Sequence, residues 1–313
     1  MDSSLPASPS SLILPRWAMP RKAASGLSDA GFAAGIALKT LDDLVRSEPA
    51  WAGCWRARQA LKCAAAASRL SGRGEGESAL RDAVLLTGTG DDPGPAGKIF
   101  LAYRRMATRR FAMSSSTIAE LSDLLGLAMG EEVEALLDHA EAVVQSGRAA
   151  PFAAAELVQR ILTLRADAEP LAWALADGLT ATMLGWSRPV PLLMAERYGA
   201  AFRASGATGR IDPGDPGFAT AVCLALVSGT EGALRSAGEI SRRAGTLVSV
   251  LPKLRTKGAG MVVQKLLDED ALPASVPGCN LSRWASKRLF ERLEHLGAVR
   301  ELSGRSSFRI FGL

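Results

Sequence analysis

Apolar residues recur at intervals of three and four along most of this chain, the signature of helices that bury one face. A helix is expected from Ser28, read as its cap, to about Val45, with Phe32, Ile36 and Leu41 among its apolar positions. Another runs from Trp51 to Leu70 and is stopped by Gly72. Further helices are expected at about 77–87, 95–110, 117–127, 131–145, 151–165, 170–185 and 190–203. Thr117 to Glu120 reads as a capping box, and Pro151 and Pro170 suit first-turn positions. After the turn-rich stretch 210–217, a long periodic run reaches about Val250, as one helix or as two broken near Gly229. Period-two alternation is absent until the final hairpin, so the class is all-α with no repeat of fixed period.

The tail differs from the rest. Ser282 is a good helix cap, and at about 100° per residue Ala285, Ser286, Leu289, Phe290, Leu293 and Leu296 fall on one face. The opposite arc carries Trp284, Lys287, Arg288, Glu291 and His295, with Arg283 at its edge. Gly297 ends this helix, and Ala298–Leu302 with Ser307–Phe311 read as two strands around a turn that holds Arg305, with Arg309 on the return strand. Residues 260–268 can supply a preceding helix. Together these outline a winged helix-turn-helix: a recognition helix, then a basic wing. Its middle helix should lie between Ala271 and Leu281, where Pro273 and Pro277 leave it short or missing. The expected organisation is an arm at 1–27, a helical body at 28–252 and a winged-helix-like unit at 253–313.

Charge sharpens that division. The 313 residues carry a net charge of +5, and from Leu251 onward eleven bases stand against six acids, so the whole excess belongs to the tail. The partner this asymmetry suggests is a polyanion, here double-stranded DNA. Arg283, Lys287 and Arg288 would enter the major groove, Trp284 would pack on sugar or base edges, and Arg305 and Arg309 would hold phosphates. The competing reading makes the basic helix a solvated face, and the tail a packing or dimerisation module of a helical scaffold. A homo-oligomer fits either reading.

Other chemistry finds little support. Four cysteines without a CxxC pair indicate neither a zinc knuckle nor a disulfide framework, only buried thiols in a reducing cytoplasm. His139 and His295 have no metal-ligand partner at suitable spacing. The stretch 90–98 has the glycines and lysine of a phosphate loop, but Asp92 and Ile99 stand where the pattern needs glycine and a hydroxyl. Asp42-Asp43, Glu131-Glu132 and Asp212/Asp215 are explained by helix ends and turns. No catalytic set and no cofactor site is expected. The apolar run Leu171–Trp186 contains Asp177 and is too short to span a bilayer, so it should be a core helix. The serine- and proline-rich start has no signal-peptide pattern, and a cytoplasmic location is expected. Within that arm, the apolar-basic patch 14–22 offers Trp17 as an anchor, and the favoured reading is a tail docked on the protein's own surface.

Two resemblances add to this. The tail resembles the C-terminal winged helix of Fic-domain proteins at Leu296-Gly297, Glu301, Ser303-Gly304-Arg305 and Arg309-x-Phe311. The catalytic Fic signature has no counterpart around either histidine, so the likeness implies a winged helix and not nucleotidyl transfer. The whole chain is similar to a bacterial family known as a domain of unknown function, through residues 14–18, 51–61, 91–97, 252–260 and the tail. That similarity implies that body and tail form one unit, and it brings no catalytic residues.

Overall fold

The computed structural model describes residues 13–19, 26–88, 90–130, 132–204, 209–275, 279, 281–305 and 307–313. The rest of the expected arm therefore lies outside the described residues, as does Glu131. Residues 13–19 do lie on the body: Leu14 and Ala18 are buried, and Trp17 rests 6.2 Å from the ring of Phe32 while staying largely exposed.

The body comprises α1 (Leu27–Arg46), α2 (Ala52–Leu70), α3 (Glu77–Leu85), α4 (Gly94–Thr108), α5 (Ser115–Leu124) and α6 (Glu132–Gln145). It continues through α7 (Ala150–Leu164), α8 (Glu169–Met183), α9 (Leu193–Glu196) and α10 (Phe218–Val250). α10 packs along α1 and α7, α7 along α8, and α2 along α4 and α9. α8 is buried on every side from Leu171 to Ala181, as its nearly uninterrupted apolar sequence requires. Two aromatic side chains pin the layers with their polar tips: Trp55 Nε1 donates to the Ala233 carbonyl at 2.9 Å, and Tyr103 Oη donates to that of Pro170 at 2.8 Å. Among the described residues, no helix is long and apolar enough to cross a membrane. All four cysteines are free and buried.

Several local readings need correction. α1 begins at Leu27 after Gly26, so Ser28 lies inside the helix and does not cap it. α5 is capped by Ser114, whose hydroxyl accepts from the Thr117 amide at 3.3 Å, while Glu120 pairs with Arg105 at 2.9 Å instead of closing a capping box. The expected helix at 190–203 shrinks to α9 and a short 3-10 turn at Ala200–Phe202. Here tertiary pairing overrides propensity: Arg197 turns out to Glu169 and Asp212, and Tyr198 lies between the guanidiniums of Arg69 and Arg210. α10, by contrast, runs unbroken through Gly229, because glycine there lets the helix approach Leu192 and Glu196; a Cβ would sit 3.3 Å from that of Leu192. Asp92 accepts from the Gly94 amide at 2.8 Å and pairs with Lys98 at 2.9 Å, which makes 90–98 a capped turn.

The C-terminal unit follows: α11 (Ala259–Asp268), β1 (Leu272–Pro273), α12 (Arg283–His295), β2 (Arg300–Glu301) and β3 (Ile310–Gly312). The strands form one antiparallel sheet in the order β1-β3-β2, with Leu272 opposite Phe311 and Glu301 opposite Phe311 on the other side. β1 was not expected. Its Pro273 is tolerated because β1 is an edge strand. The unit is docked on α2 by α11, and the approach is close: a Cβ on Gly53 would meet the Asp268 backbone at 2.7 Å.

Candidate nucleic-acid interface

α12 forms where its caps and its apolar stripe dictate. The Ser282 hydroxyl accepts from the Ala285 amide at 3.2 Å, and Gly297 leaves the helix in the left-handed region at φ 69°. Ser286, Leu289, Phe290 and Leu293 are buried, with the Phe290 ring stacked on Phe311 at 4.7 Å. Ser286 is the one polar group on this face, and its hydroxyl donates to the Ala274 carbonyl at 2.6 Å. The buried face as a whole fixes the rotation of the helix and hence what it turns outward.

Outward it shows Arg283, Trp284, Lys287, Arg288, Glu291, Arg292 and His295, all exposed. Trp284 is 76% exposed, the second most exposed of the large apolar side chains described. Lys287 approaches Glu291 at 3.8 Å and lies 6.0 Å from the Trp284 ring centre. Arg283, Arg288 and Arg292 have no acidic partner among the described residues. The bases of the first two turns stand at the end where the helix dipole disfavours cations, and no acid occupies the first turn to compensate.

The hairpin arginines behave differently. Arg305 donates to Asp82 of α3 at 2.6 Å, and Arg309 donates to Glu294 of α12 at 2.8 Å while lying over the Phe311 ring. The turn between the strands is built by Glu301, whose carboxylate accepts from the amides of Ser303 at 2.7 Å and Gly304 at 2.9 Å and from the Ser303 hydroxyl. The structure thus brings Arg283, Trp284, Lys287 and Arg288 together on one open face. It places Arg305 and Arg309 in internal ion pairs. A cleft of about 710 Å³ runs between the end of α3, the start of α12 and the hairpin, with Arg283, Lys287 and the exposed Phe308 on its walls.

Beneath the hairpin lies a group that the spacing of residues could not reveal. Asp270 is buried and accepts from Nε of Arg81 at 2.5 Å and from Nε of Arg58. A second nitrogen of Arg58 donates to the carbonyls of Asp270 and of Leu313, both at 3.2 Å. Burial opposes the Asp270 charge, yet the two guanidiniums hold its carboxyl below the usual carboxylate value. Beside it Arg104 meets Glu269 at 2.5 Å. These pairs fix the segment between α11 and β1 on the body.

No curated protein and no solved structure matches the chain. Residues 6–313 match the family described as "Protein of unknown function (DUF1403)". The match covers nearly the whole chain, so the chain is a member of that family.

Proposed function

We propose that this is a cytoplasmic DNA-associated protein whose C-terminal unit is a winged helix, with α12 as its recognition helix. The observation that carries this reading is the open face of α12, where unpaired Arg283 and Arg288 flank Lys287 and an exposed tryptophan. Such a face contributes nothing to the fold and works against the helix dipole, but it suits phosphates at a helix N-terminus. The order helix, edge strand, recognition helix, hairpin supports the winged-helix reading, with the sheet order β1-β3-β2 closing the hairpin on the edge strand. The departure is the middle helix: residues 274–281 hold none among those described. In this reading Arg283, Lys287 and Arg288 meet phosphates and base edges, Trp284 stacks on sugar, and Arg305 and Arg309 chiefly hold the hairpin in place.

The test is duplex binding by the full chain, titrated across salt. Each phosphate neutralised contributes about −0.9 to the log–log slope. Arg283→Ala and Arg288→Ala should each weaken binding and flatten the slope by about that amount, and Trp284→Ala should weaken binding with the slope kept. Slopes unchanged in both arginine variants, with Trp284→Ala binding like the parent, would refute the assignment.

A second reading has its own observation. Asp270 and the Arg305–Asp82 pair tie the unit to the body, as a packing module requires. In that case Trp284 anchors a protein partner or a second copy, and Trp284→Ala would change the sedimentation of the protein and leave DNA binding alone.

A further inference from the structure

Five basic side chains from four elements line a cavity of about 420 Å³ where the hairpin meets the body: Arg58 and Lys62 of α2, Arg81 of α3, Arg235 of α10 and Arg300 of β2. Arg58 and Arg81 are buried, with side-chain exposures of 7% and 9%, and share the single carboxylate of Asp270. Lys62, Arg235 and Arg300 form no close ion pair among the described residues; Glu196 acts on Lys62 and Arg235, and Glu239 on Lys62 and Arg300, from farther off. Burial pushes the Lys62 amine down, and Arg300 is pushed down by burial and then by repulsion from Arg58, Arg243 and Arg81. The acids of the lining offset this only in part. Glu301 is spent on the amides of its own turn, and Glu77 pairs with Arg81 at 3.5 Å and acts on Arg58 and Lys62 only from farther off. Glu239 acts on Lys62 and Arg300 from a distance but makes no hydrogen bond or close ion pair of its own among the described residues. Cations without close ion pairs, crowded around one concave space, repel one another until an anion joins them.

We infer that this cavity binds a small phosphorylated molecule, a phosphate ester held by the cations of α2, α10 and β2 with a hydroxyl donating to Glu239. Guanidinium forks match phosphate oxygens, and the volume lies within the roughly 300–1,000 Å³ of small-molecule sites. Because Arg300 is on β2 and the other cations are on the body, the bound ester ties the hairpin to the helices. The inference does not rest on DNA binding by α12, since no residue of α12 lines the cavity.

The experiment is calorimetric titration of the full chain with inorganic phosphate and with glycerol phosphate, at ionic strength matched with sodium chloride. Saturable binding is expected, tighter for the ester; equal binding overturns the ester in favour of the free anion. Arg300→Ala and Arg235→Ala, both at solvent-accessible unpaired positions, should each weaken binding on the order of tenfold for a charge-assisted hydrogen bond lost. Glu239→Gln should tighten binding of inorganic phosphate by removing a like charge, a gain that a misfolded variant cannot give. No saturable binding of either probe, or variants that bind like the parent, overturns the inference.

Discussion

Replacing Asp270 by Asn should cost about 3–5 kcal/mol, the usual loss when one partner of a buried ion pair is removed and the other charge stays. The structure says why the loss is not larger. Arg58 keeps its two carbonyl acceptors at 3.2 Å, and Arg81 keeps Glu77 at 3.5 Å, so neither guanidinium is stripped bare. What disappears is the buried carboxylate that both guanidiniums share. For a chain of this size the melting temperature should fall on the order of 10 °C. The pH dependence gives an independent check. The folded Asp270 carboxyl lies below its ordinary value of 3.8, so its stabilisation is complete above that value and is lost as pH falls through the lower folded value. Parent and Asp270→Asn should therefore differ most near neutral pH and converge in strong acid. Thermal melts followed by circular dichroism at both pH extremes measure this. An Asn variant melting within about 2 °C of the parent at neutral pH would refute the reasoning. Replacing all three charges together, as Arg58→Met, Arg81→Met and Asp270→Leu, should cost far less than Asp270→Asn alone, because the desolvation of the ions disappears with them.

Three further outcomes are expected. Gly53→Ala should loosen α11 from α2, since its Cβ would lie 2.7 Å from the Asp268 carbonyl oxygen and 2.8 Å from its Cα, backbone that cannot swing away; proteolysis between α10 and α11 should then become faster. Burial pushes the Asp177 carboxyl up to about 8, against the pull of the Leu192 and Leu193 amides, so the folded state holds a proton that the unfolded chain loses above 3.8. Stability should decline as pH rises through that window, and Asp177→Asn should remove the slope in urea denaturation at its two ends. Phe290→Ala should cost about 3–5 kcal/mol by emptying the space stacked on Phe311, seen as a lower denaturation midpoint.

Most of the helical architecture was legible because an apolar stripe at helical spacing has few other ways to be buried. The tail helix is the clearest case: Leu289, Phe290 and Leu293 fall on the buried face read from their spacing. Legibility failed where long-range partners decide. Nothing local in the sequence around Arg197 and Tyr198 announces Glu169, Asp212, Arg69 or Arg210, and those partners end α9 early. Nor could β1 be read, since two residues become a strand only when β3 is beside them. At the candidate interface the outward face of α12 followed from periodicity. The partners of Arg58 and Arg81 did not, because Asp270 lies 212 and 189 residues away.

The charge asymmetry can now be apportioned. Among the tail's bases, Arg305 and Arg309 are offset by Asp82 and Glu294, and Arg300 faces the cavity, which leaves open bases on α12 and, ahead of α11, at Lys253, Arg255 and Lys257. This predicts unequal contributions to polyanion binding. Arg288 has no acid to give up, so a phosphate that reaches it releases a counterion in full. Arg305 must first part from Asp82, a partly exposed pair worth about 0–1 kcal/mol, and Asp82 then recruits a cation of its own. Affinity at Arg305 is therefore reduced only modestly by the pair, but the net counterion release is nearly cancelled. Arg305→Ala should shift the salt slope by much less than about 0.9, and Asp82→Asn should restore the full contribution of Arg305. A parent slope already reduced as strongly by Arg305→Ala as by Arg288→Ala would mean that the hairpin leaves Asp82 on binding and that the wing, not the helix alone, meets the backbone.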